Sequence, residues 1–432
     1  MSSNQARSFL GCIADDVTGA TDLAINLVQG GMRVVQVLGV PTQESLTELR
    51  DVEAIVVALK TRSIPKNEAI AQSLAALTAL QNAGAQRYYF KYCSTFDSTD
   101  EGNIGPVAAA LLEELRAEKT IFCPAFPQAG RTVYQGHLFV HDKLLNESGM
   151  ENHPLNPMRD ANLLRVLAKQ STEKIGLLAC KSYAGSIAAI RDELRRLAAE
   201  GQRFVVTDAC DDSHLAQLAK AVVEMPLVTG GSGLARFLPE AYRDAGFMRA
   251  ESFQPEMPQV SGRRAILAGS CSTATQGQVK HMQGRCPIWH VDVPGLMADA
   301  EAELERFRKW AASTGENETL LVASTSPPEA ITKLQELYGA DSTAKSIERF
   351  LAASAKLLVE KFGVRRLVLA GGETSGAIVA ALEIPALRIG PEICTGVPWT
   401  ETLGTEPRLA LALKSGNFGD EQFFETALEM LP

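Results

Sequence analysis

Short apolar runs alternate with amphipathic stretches from the start of the chain, and this alternation most limits what the chain can fold into. FLGCIA (9–14), MRVVQVLG (32–39), AIVVAL (54–59), RYYFKY (87–92) and TIFCPAF (120–126) are rich in β-branched and aromatic residues. Runs of this kind read as strands covered on both faces. Between them lie helical patterns such as KNEAIAQSLAALTALQNA (66–83) and GPVAAALLEELRAE (105–118). Strand and helix in turn build a parallel α/β sheet.

The pattern resumes after the irregular HDKLLNESGMENHPLNPMRD with KIGLLAC (174–180), RFVVTDAC (203–210) and MPLVTGG (225–231). AGFMRAESFQPEMPQVSG (245–262) then interrupts it with prolines and little periodicity, and reads as an interdomain linker. Beyond it come RRAILAG (263–269), CPIWHVDV (286–293), TLLVAS (319–324), VRRLVLAG (364–371) and ALRIG (386–390). AKSIERFLAASAKLLVEKFG (344–363) reads as a helix buried along Ile347, Phe350, Leu351, Leu357 and Leu358. A chain of 432 residues exceeds what one core usually supports. The expected fold is therefore two α/β domains, residues 1–250 and 260–432, with mostly parallel sheets and a ligand cleft between them.

Charge and cysteine usage narrow the function classes. A formal net charge of −9 disfavours nucleic-acid and anionic-membrane binding, which need a basic surface. The N-terminal MSSNQARSFLGCIADD has no long apolar core with a cleavage site, so a cytoplasmic location is expected. The 8 cysteines are scattered without C-x-x-C spacing and read as reduced. His137 and His141 lie four apart, but in a strand-like segment, which disfavours a metal site.

The unusual clusters follow strands, where ligands of open parallel sheets bind. In IADDVTGATD (13–22), Asp15 and Asp16 should point to opposite sides of extended chain, one capping a helix that starts near Gly19 and the other facing the cleft. Capping and turn roles for both are the plainer alternative. In FKYCSTFDST (90–99), Lys91 inside a buried run needs a partner, either an anionic substrate or Asp97; Ser94 and Asp97 join it as candidate substrate contacts. Arg62 and Lys60 in LKTRS, and Arg131 and His137 in PAFPQAGRTVYQGH, are candidates to grip a carboxylate, with Lys143 a further cation.

In the second domain LAGSCSTAT (267–275), LAGGETSGA (369–377) and LKSGNFGD (413–420) set glycines and hydroxyls at or near strand ends, as a phosphate site requires. The P-loop and G-x-G-x-x-G fingerprints are missing. VTGGSGLA fails the nucleophile-elbow pattern at Leu234.

Taken together, GCIADDVTGATDLAINLV, FKYCSTFDST, GNIGPV, PAFPQAGRTVYQGHLFV, NHPLNPM, LVTGGSGLA, GSCSTAT, AGGETSGA and LKSGNFG resemble the four-carbon acid sugar kinases over nearly the whole chain. The resemblance implies an N-terminal acid-sugar-binding domain and a C-terminal nucleotide-binding domain. It also implies transfer of the γ-phosphoryl of ATP, carried with Mg²⁺, to the terminal hydroxyl of a four-carbon acid: 3-oxo-tetronate ahead of threonate or erythronate. By motif, Ser270, Gly371, Gly372, Glu373, Thr374 and Gly416 contact ATP, with Ser272 in the same loop. Asp15 or Asp16 orients or deprotonates the acceptor hydroxyl, and Glu373 helps place the metal. Val17 stands where many relatives carry an aromatic residue. The expected partners are the acid sugar and ATP, with no nucleic acid and no membrane, in a symmetric homodimer. A nicotinamide-dependent oxidoreductase and a non-catalytic acid-sugar sensor are the alternatives; the missing dinucleotide fingerprint stands against the first, and the second has no use for three glycine-rich loops in a second domain.

Overall fold

The structure, a computed structural model, describes residues 8–42, 46, 49, 52–153, 156–249, 251–324 and 337–432. Residues 1–7 of the N-terminal segment, Pro154 and Leu155 of NHPLNPM and Ala250 of the linker lie outside the described residues. The chain divides into two units, Met1–Gln254 and Pro255–Pro432.

In the first unit the strands β1 (Leu10–Ala14), β2 (Val34–Leu38), β3 (Ala54–Ala58), β4 (Arg87–Lys91), β5 (Thr120–Cys123), β9 (Ile175–Leu178), β10 (Phe204–Thr207) and β11 (Leu227–Gly230) form a parallel sheet. Their spatial order is β2-β3-β1-β4-β11-β5-β10-β9. Every residue of β1 and β3 is buried, as continuous apolar runs require when both faces are covered. The chain fills one side of β1 first and then crosses to the other at β4. The β1/β4 edge is thus a topological switch point, where open α/β sheets leave a crevice beyond the carboxyl ends.

TVYQGHLFV, read as one strand, is instead a hairpin. Gln135 and Gly136 adopt φ 50° and 70° and turn the chain between β6 (Arg131–Tyr134) and β7 (His137–Val140). With β8 (Lys143–Leu144) these make a small antiparallel sheet.

The second unit repeats the logic. β12 (Arg263–Ala268), β13 (Ile288–His290), β14 (Leu320–Ala323), β15 (Val364–Ala370) and β18 (Ala410–Lys414) run parallel in the order β13-β14-β12-β15-β18. The switch point here falls at β12/β15. ALRIG proves to be the start of a longer strand, β16 (Ala386–Cys394), which pairs antiparallel with β17 (Val397–Leu403), itself antiparallel to β18. The core under this meander holds Trp399, fully buried, with its indole N–H donating to the Ala427 carbonyl at 2.8 Å. The predicted helix over 344–363 spans Ala340–Lys361, with Phe350, Leu351 and Leu358 buried and Ile347 and Leu357 half-buried.

Candidate functional site

Register alone assembles the first cluster. Ala14 at the end of β1 pairs with Ala58 of β3 on one side and Lys91 of β4 on the other, so the loops after all three strands leave the sheet together. Gly230 of β11 stands beside Lys91 in turn.

Asp15 and Asp16 do not diverge. β1 ends at Ala14, so the side-chain alternation ends with it, and both carboxylates converge on one guanidinium. Arg62 donates to Asp15 from Nε (3.0 Å) and Nη2 (2.8 Å), and to Asp16 Oδ1 from Nη2 (2.6 Å); Asp97 lies 3.5 Å from Nη1. Asp16 also caps the helix Val17–Gln29, accepting from the Gly19 N–H at 3.1 Å and the Thr18 hydroxyl at 2.9 Å. Asp15 and Asp97 are buried, whereas the Asp16 side chain keeps 27% of its surface exposed.

The two adjacent acids differ electrostatically. Burial raises Asp15 above the usual carboxylate range, with Arg62 opposing. Burial pushes Asp16 the same way, but Arg62, Lys91 and its capping bonds outweigh it and hold Asp16 below that range.

Lys91 is 2% exposed, and although its backbone carbonyl accepts the Asp15 N–H at 3.1 Å, its ammonium makes no hydrogen bond or ion pair within 4.0 Å with a described residue. Of its two candidate partners Asp97 is therefore ruled out, since Asp97 is held by Arg62 and by the Thr95 hydroxyl at 2.7 Å. The Lys91 Nζ lies next to Gly19, beside the Asp16 cap. Phe96 and Asp97 adopt φ 63° and 24°, a strained turn of the kind that over-determined sites retain. Ser94 is half-buried beside Gly231.

Arg131 and His137 make no hydrogen bond or ion pair with this cluster. Arg131 Nη1 donates to the Ala129 carbonyl. His137 Nδ1 contacts the Gln135 carbonyl at 2.8 Å and lines a cavity of about 830 Å³ with Ser98, Arg159, Arg165 and Lys169. Lys60 and Lys143 are exposed.

Asn103 was missed in the sequence. Standing at the start of the helix Ile104–Glu114, it does not cap it; its Nδ2 donates to the carbonyls of Thr61 (2.8 Å) and Ile64 (2.9 Å) and so fixes the loop that carries Arg62. The only available signal was its place in GNIGPV.

The second cluster sits at the β12/β15 switch point. The N–H groups of Gly269 and Ser270 donate to the Ala370 carbonyl (3.0 and 3.1 Å), and the Gly371 N–H to Lys414 (2.8 Å). Ser272 caps the helix Thr273–His281 and donates to the Gly416 carbonyl at 2.6 Å. All three glycine-rich loops therefore meet, and the helices Thr273–His281 and Gly372–Ala381 both begin there. Gly371 adopts φ 125°, open in practice to glycine, and a Cβ on Gly416 would lie 2.2 Å from the Ser270 hydroxyl. Thr374 is buried; Glu373 is exposed and its carboxylate makes no hydrogen bond or ion pair with a described residue. This is a nest of N–H groups and hydroxyls around two positive helix ends, suited to phosphate.

Lys414 was also missed, because it reads as the end of an apolar strand. It is fully buried, and among the described residues its Nζ donates to neutral oxygens alone: Thr275 Oγ1 (3.2 Å) and the carbonyls of Ser415 (3.0 Å) and Gly416 (2.9 Å). Burial brings its ammonium down to about 8.

With this geometry in hand, the likenesses to known proteins are specific. Residues 10–238 match the model of a sugar-binding N-terminal domain, and residues 265–424 that of a nucleotide-binding C-terminal domain. The chain is 50% identical over 427 residues to a 3-oxo-tetronate kinase of Cupriavidus necator, covering 98% of each chain. It is 49% identical over 431 residues to a 3-oxo-tetronate kinase of Burkholderia multivorans, covering 100% of this chain and 99% of that one. Among solved structures, Haemophilus influenzae protein HI1011 matches with a TM-score of 0.79 at 42% identity, covering 98% of this chain and 100% of that one. A Salmonella typhimurium LT2 protein, named as a candidate tRNA synthase, matches with a TM-score of 0.88 at 43% identity, covering 98% and 99%. Among the described residues, no helix is long and apolar enough to cross a membrane.

Proposed function

Since the chain belongs to the four-carbon acid sugar kinase family, we infer that it transfers the γ-phosphoryl of ATP to the terminal C4 hydroxyl of 3-oxo-tetronate, giving the 4-phosphate. The acid sugar binds in the unit ending at Gln254 and ATP in the unit beginning at Pro255. The observation that carries the acceptor assignment is Lys91. A buried ammonium that makes no hydrogen bond to a described residue, near carboxylates whose hydrogen bonds go to Arg62, is open to a direct anionic ligand, which the substrate carboxylate supplies. The net charge of −9 supports a small-molecule acceptor over RNA.

Phosphoryl transfer asks a protein mainly for positioning and charge neutralisation. Asp16, ionised and the more accessible of the pair, orients the C4 hydroxyl and accepts its proton; Asp15 keeps Arg62 in place. Its depressed pKa suits a loose transition state, in which the nucleophile needs little activation. Ser94 and Asp97 contact the sugar hydroxyls, and Arg131 and His137 belong to the outer wall of the acceptor site. The loops bearing Ser270, Ser272, Gly371 to Thr374 and Gly416 cradle the phosphates. ATP arrives as its Mg²⁺ complex, and Glu373, an unpaired hard oxygen donor at the nest, is the residue fitted to the cation.

The test is ADP release from Mg·ATP against 3-oxo-tetronate, D- and L-threonate, and D- and L-erythronate. Turnover confined to 3-oxo-tetronate is expected. Preference for a threonate or erythronate overturns the acceptor and keeps the kinase; no turnover at all, with ATP still bound, overturns the kinase.

Lys414 supplies a pH prediction. Its folded pKa lies below the ordinary 10.5, so the folded chain sheds this proton first and stability rises as pH climbs from about 8 towards 10.5. Phosphate in the nest holds the proton on. ATP binding at about pH 8.5 is therefore accompanied by proton uptake, read as a buffer-dependent binding enthalpy, which Lys414→Met abolishes. Equal uptake in both proteins removes Lys414 from the phosphate site.

A further inference from the structure

Two thiols and an imidazole meet at the carboxyl ends of β9 and β10, and the phosphoryl-transfer reading uses none of them. Cys180 opens the short 3-10 turn Cys180–Ala184 after β9, and Cys210 follows β10. His214 lies in the first turn of the helix Asp212–Val222, and β9 and β10 are paired neighbours.

Cys180 Sγ is 3.7 Å from Cys210 Sγ and 3.7 Å from His214 Nδ1, and all three donor atoms lie within 4.8 Å of one another. Tetrahedral zinc, with Zn–S near 2.3 Å and Zn–N near 2.0–2.1 Å, sets sulfurs about 3.8 Å apart and sulfur from nitrogen about 3.6 Å. The donors thus already stand at ligand spacing, whereas a disulfide would require the sulfurs to close to about 2.05 Å.

The surroundings hold the ligands as a metal site would. The Cys180 N–H donates to the Asp208 carboxylate at 2.9 Å, and that carboxylate also accepts the N–H groups of Gln135 and Gly136. Tyr183 donates to the Asp208 carbonyl at 2.8 Å and stacks its ring on His214, centroids 4.7 Å apart and planes 20° apart. His214 Nε2 faces Asp211 Oδ2 at 3.9 Å, the carboxylate–imidazole arrangement that turns the opposite nitrogen towards a metal. That nitrogen, Nδ1, accepts the Cys210 N–H at 3.2 Å, which keeps the imidazole beside the two thiols. All three residues are half-buried, so a cation reaches them from solvent and water completes the tetrahedron.

We propose that Cys180, Cys210 and His214 form a Cys₂His site for a thiophilic divalent cation of the zinc class, which ties the ends of β9 and β10 to the helix Asp212–Val222. Binding converts both thiols to thiolates, with release of two protons per cation.

The full-length chain, reduced and freed of metal, is titrated with Co²⁺. One equivalent with a sulfur-to-cobalt charge-transfer band and tetrahedral d–d absorption is expected. Cys180→Ser and Cys210→Ser lose the charge-transfer band stepwise, and His214→Ala weakens binding at least tenfold. In the wild-type chain, where no variant can misfold, Zn²⁺ protects Cys180 and Cys210 from alkylation at least tenfold, while exposed Cys271 reacts equally with and without it. Absence of the charge-transfer band, equal alkylation of Cys180 and Cys210 with and without Zn²⁺, or undiminished cobalt binding in the Cys180→Ser, Cys210→Ser double variant overturns the site.

Discussion

Replacing Arg62 with alanine abolishes turnover and costs about 3 kcal/mol of stability, with a larger deficit at about pH 8 than at about pH 5. One guanidinium holds three carboxylates, two of them buried, and its removal leaves Asp15 and Asp16 with the weaker influence of Lys91 and Asp97 with the Thr95 hydroxyl. Breaking a buried pair by deleting one partner costs about 3–5 kcal/mol; partial exposure of Arg62 and Asp16 argues for the lower end.

The pH dependence follows from the two acids. Asp15 is raised mainly by burial, and Arg62 is the chief influence holding it down. Without Arg62 it rises further, and a raised folded pKa contributes stability at low pH that is lost as pH increases through it. Asp16 is depressed chiefly by Arg62 against the effect of burial, so its contribution is present above its unfolded pKa and lost on acidification. In the variant that contribution shrinks. Both changes move the variant's optimum towards acid. Denaturant midpoints at the two pH values measure it. A deficit below about 1 kcal/mol, or one independent of pH, means that Arg62 is not the electrostatic centre of the cluster.

Asp16→Asn lowers kcat by about 10²–10³ while the KM for the acid sugar stays within about threefold. Asparagine caps helices about as well as aspartate, so the Gly19 N–H keeps an acceptor and the helix Val17–Gln29 keeps its start. What is lost is the charge that accepts the hydroxyl proton. Asp16→Ala adds the loss of the cap, about 1 kcal/mol, and separates the two roles. An unchanged kcat in Asp16→Asn transfers the base role away from Asp16, and Asp15→Asn is then the decisive variant.

Much of the architecture was legible because buried parallel strands leave a simple trace. The run LGCIA and the run AIVVA have no polar alternation, and the structure buries every residue of both. The meander β16-β17-β18 was harder. ALRIG read as a short strand, and the fact that it continues to Cys394 and turns back depends on pairing with VPWTETL, which a local window does not contain. The hairpin at Gln135–Gly136 was missed for a related reason: two left-handed residues broke what read as one aromatic, β-branched strand.

The glycine loops show the same division at the site. Gly371 announces itself locally, since a strand that ends in two glycines and enters a helix has few other uses for them. That Ser270 and Gly416 share one site came from the family resemblance; their direct contact has no local trace, because 146 positions separate them and the β12-β15-β18 order brings them together.

By itself the sequence determined the α/β class, the places where strands hand over to helices, and the residue types waiting there; these are properties of periods and of neighbours a few residues apart. Tertiary structure decided which of those residues meet. Asp15 and Arg62 are 47 residues apart, and only the parallel register of β1 between β3 and β4 makes them an ion pair and leaves Lys91 without one. The energy of a charge depends on its partner and its exposure to water, and neither is a local property of the chain.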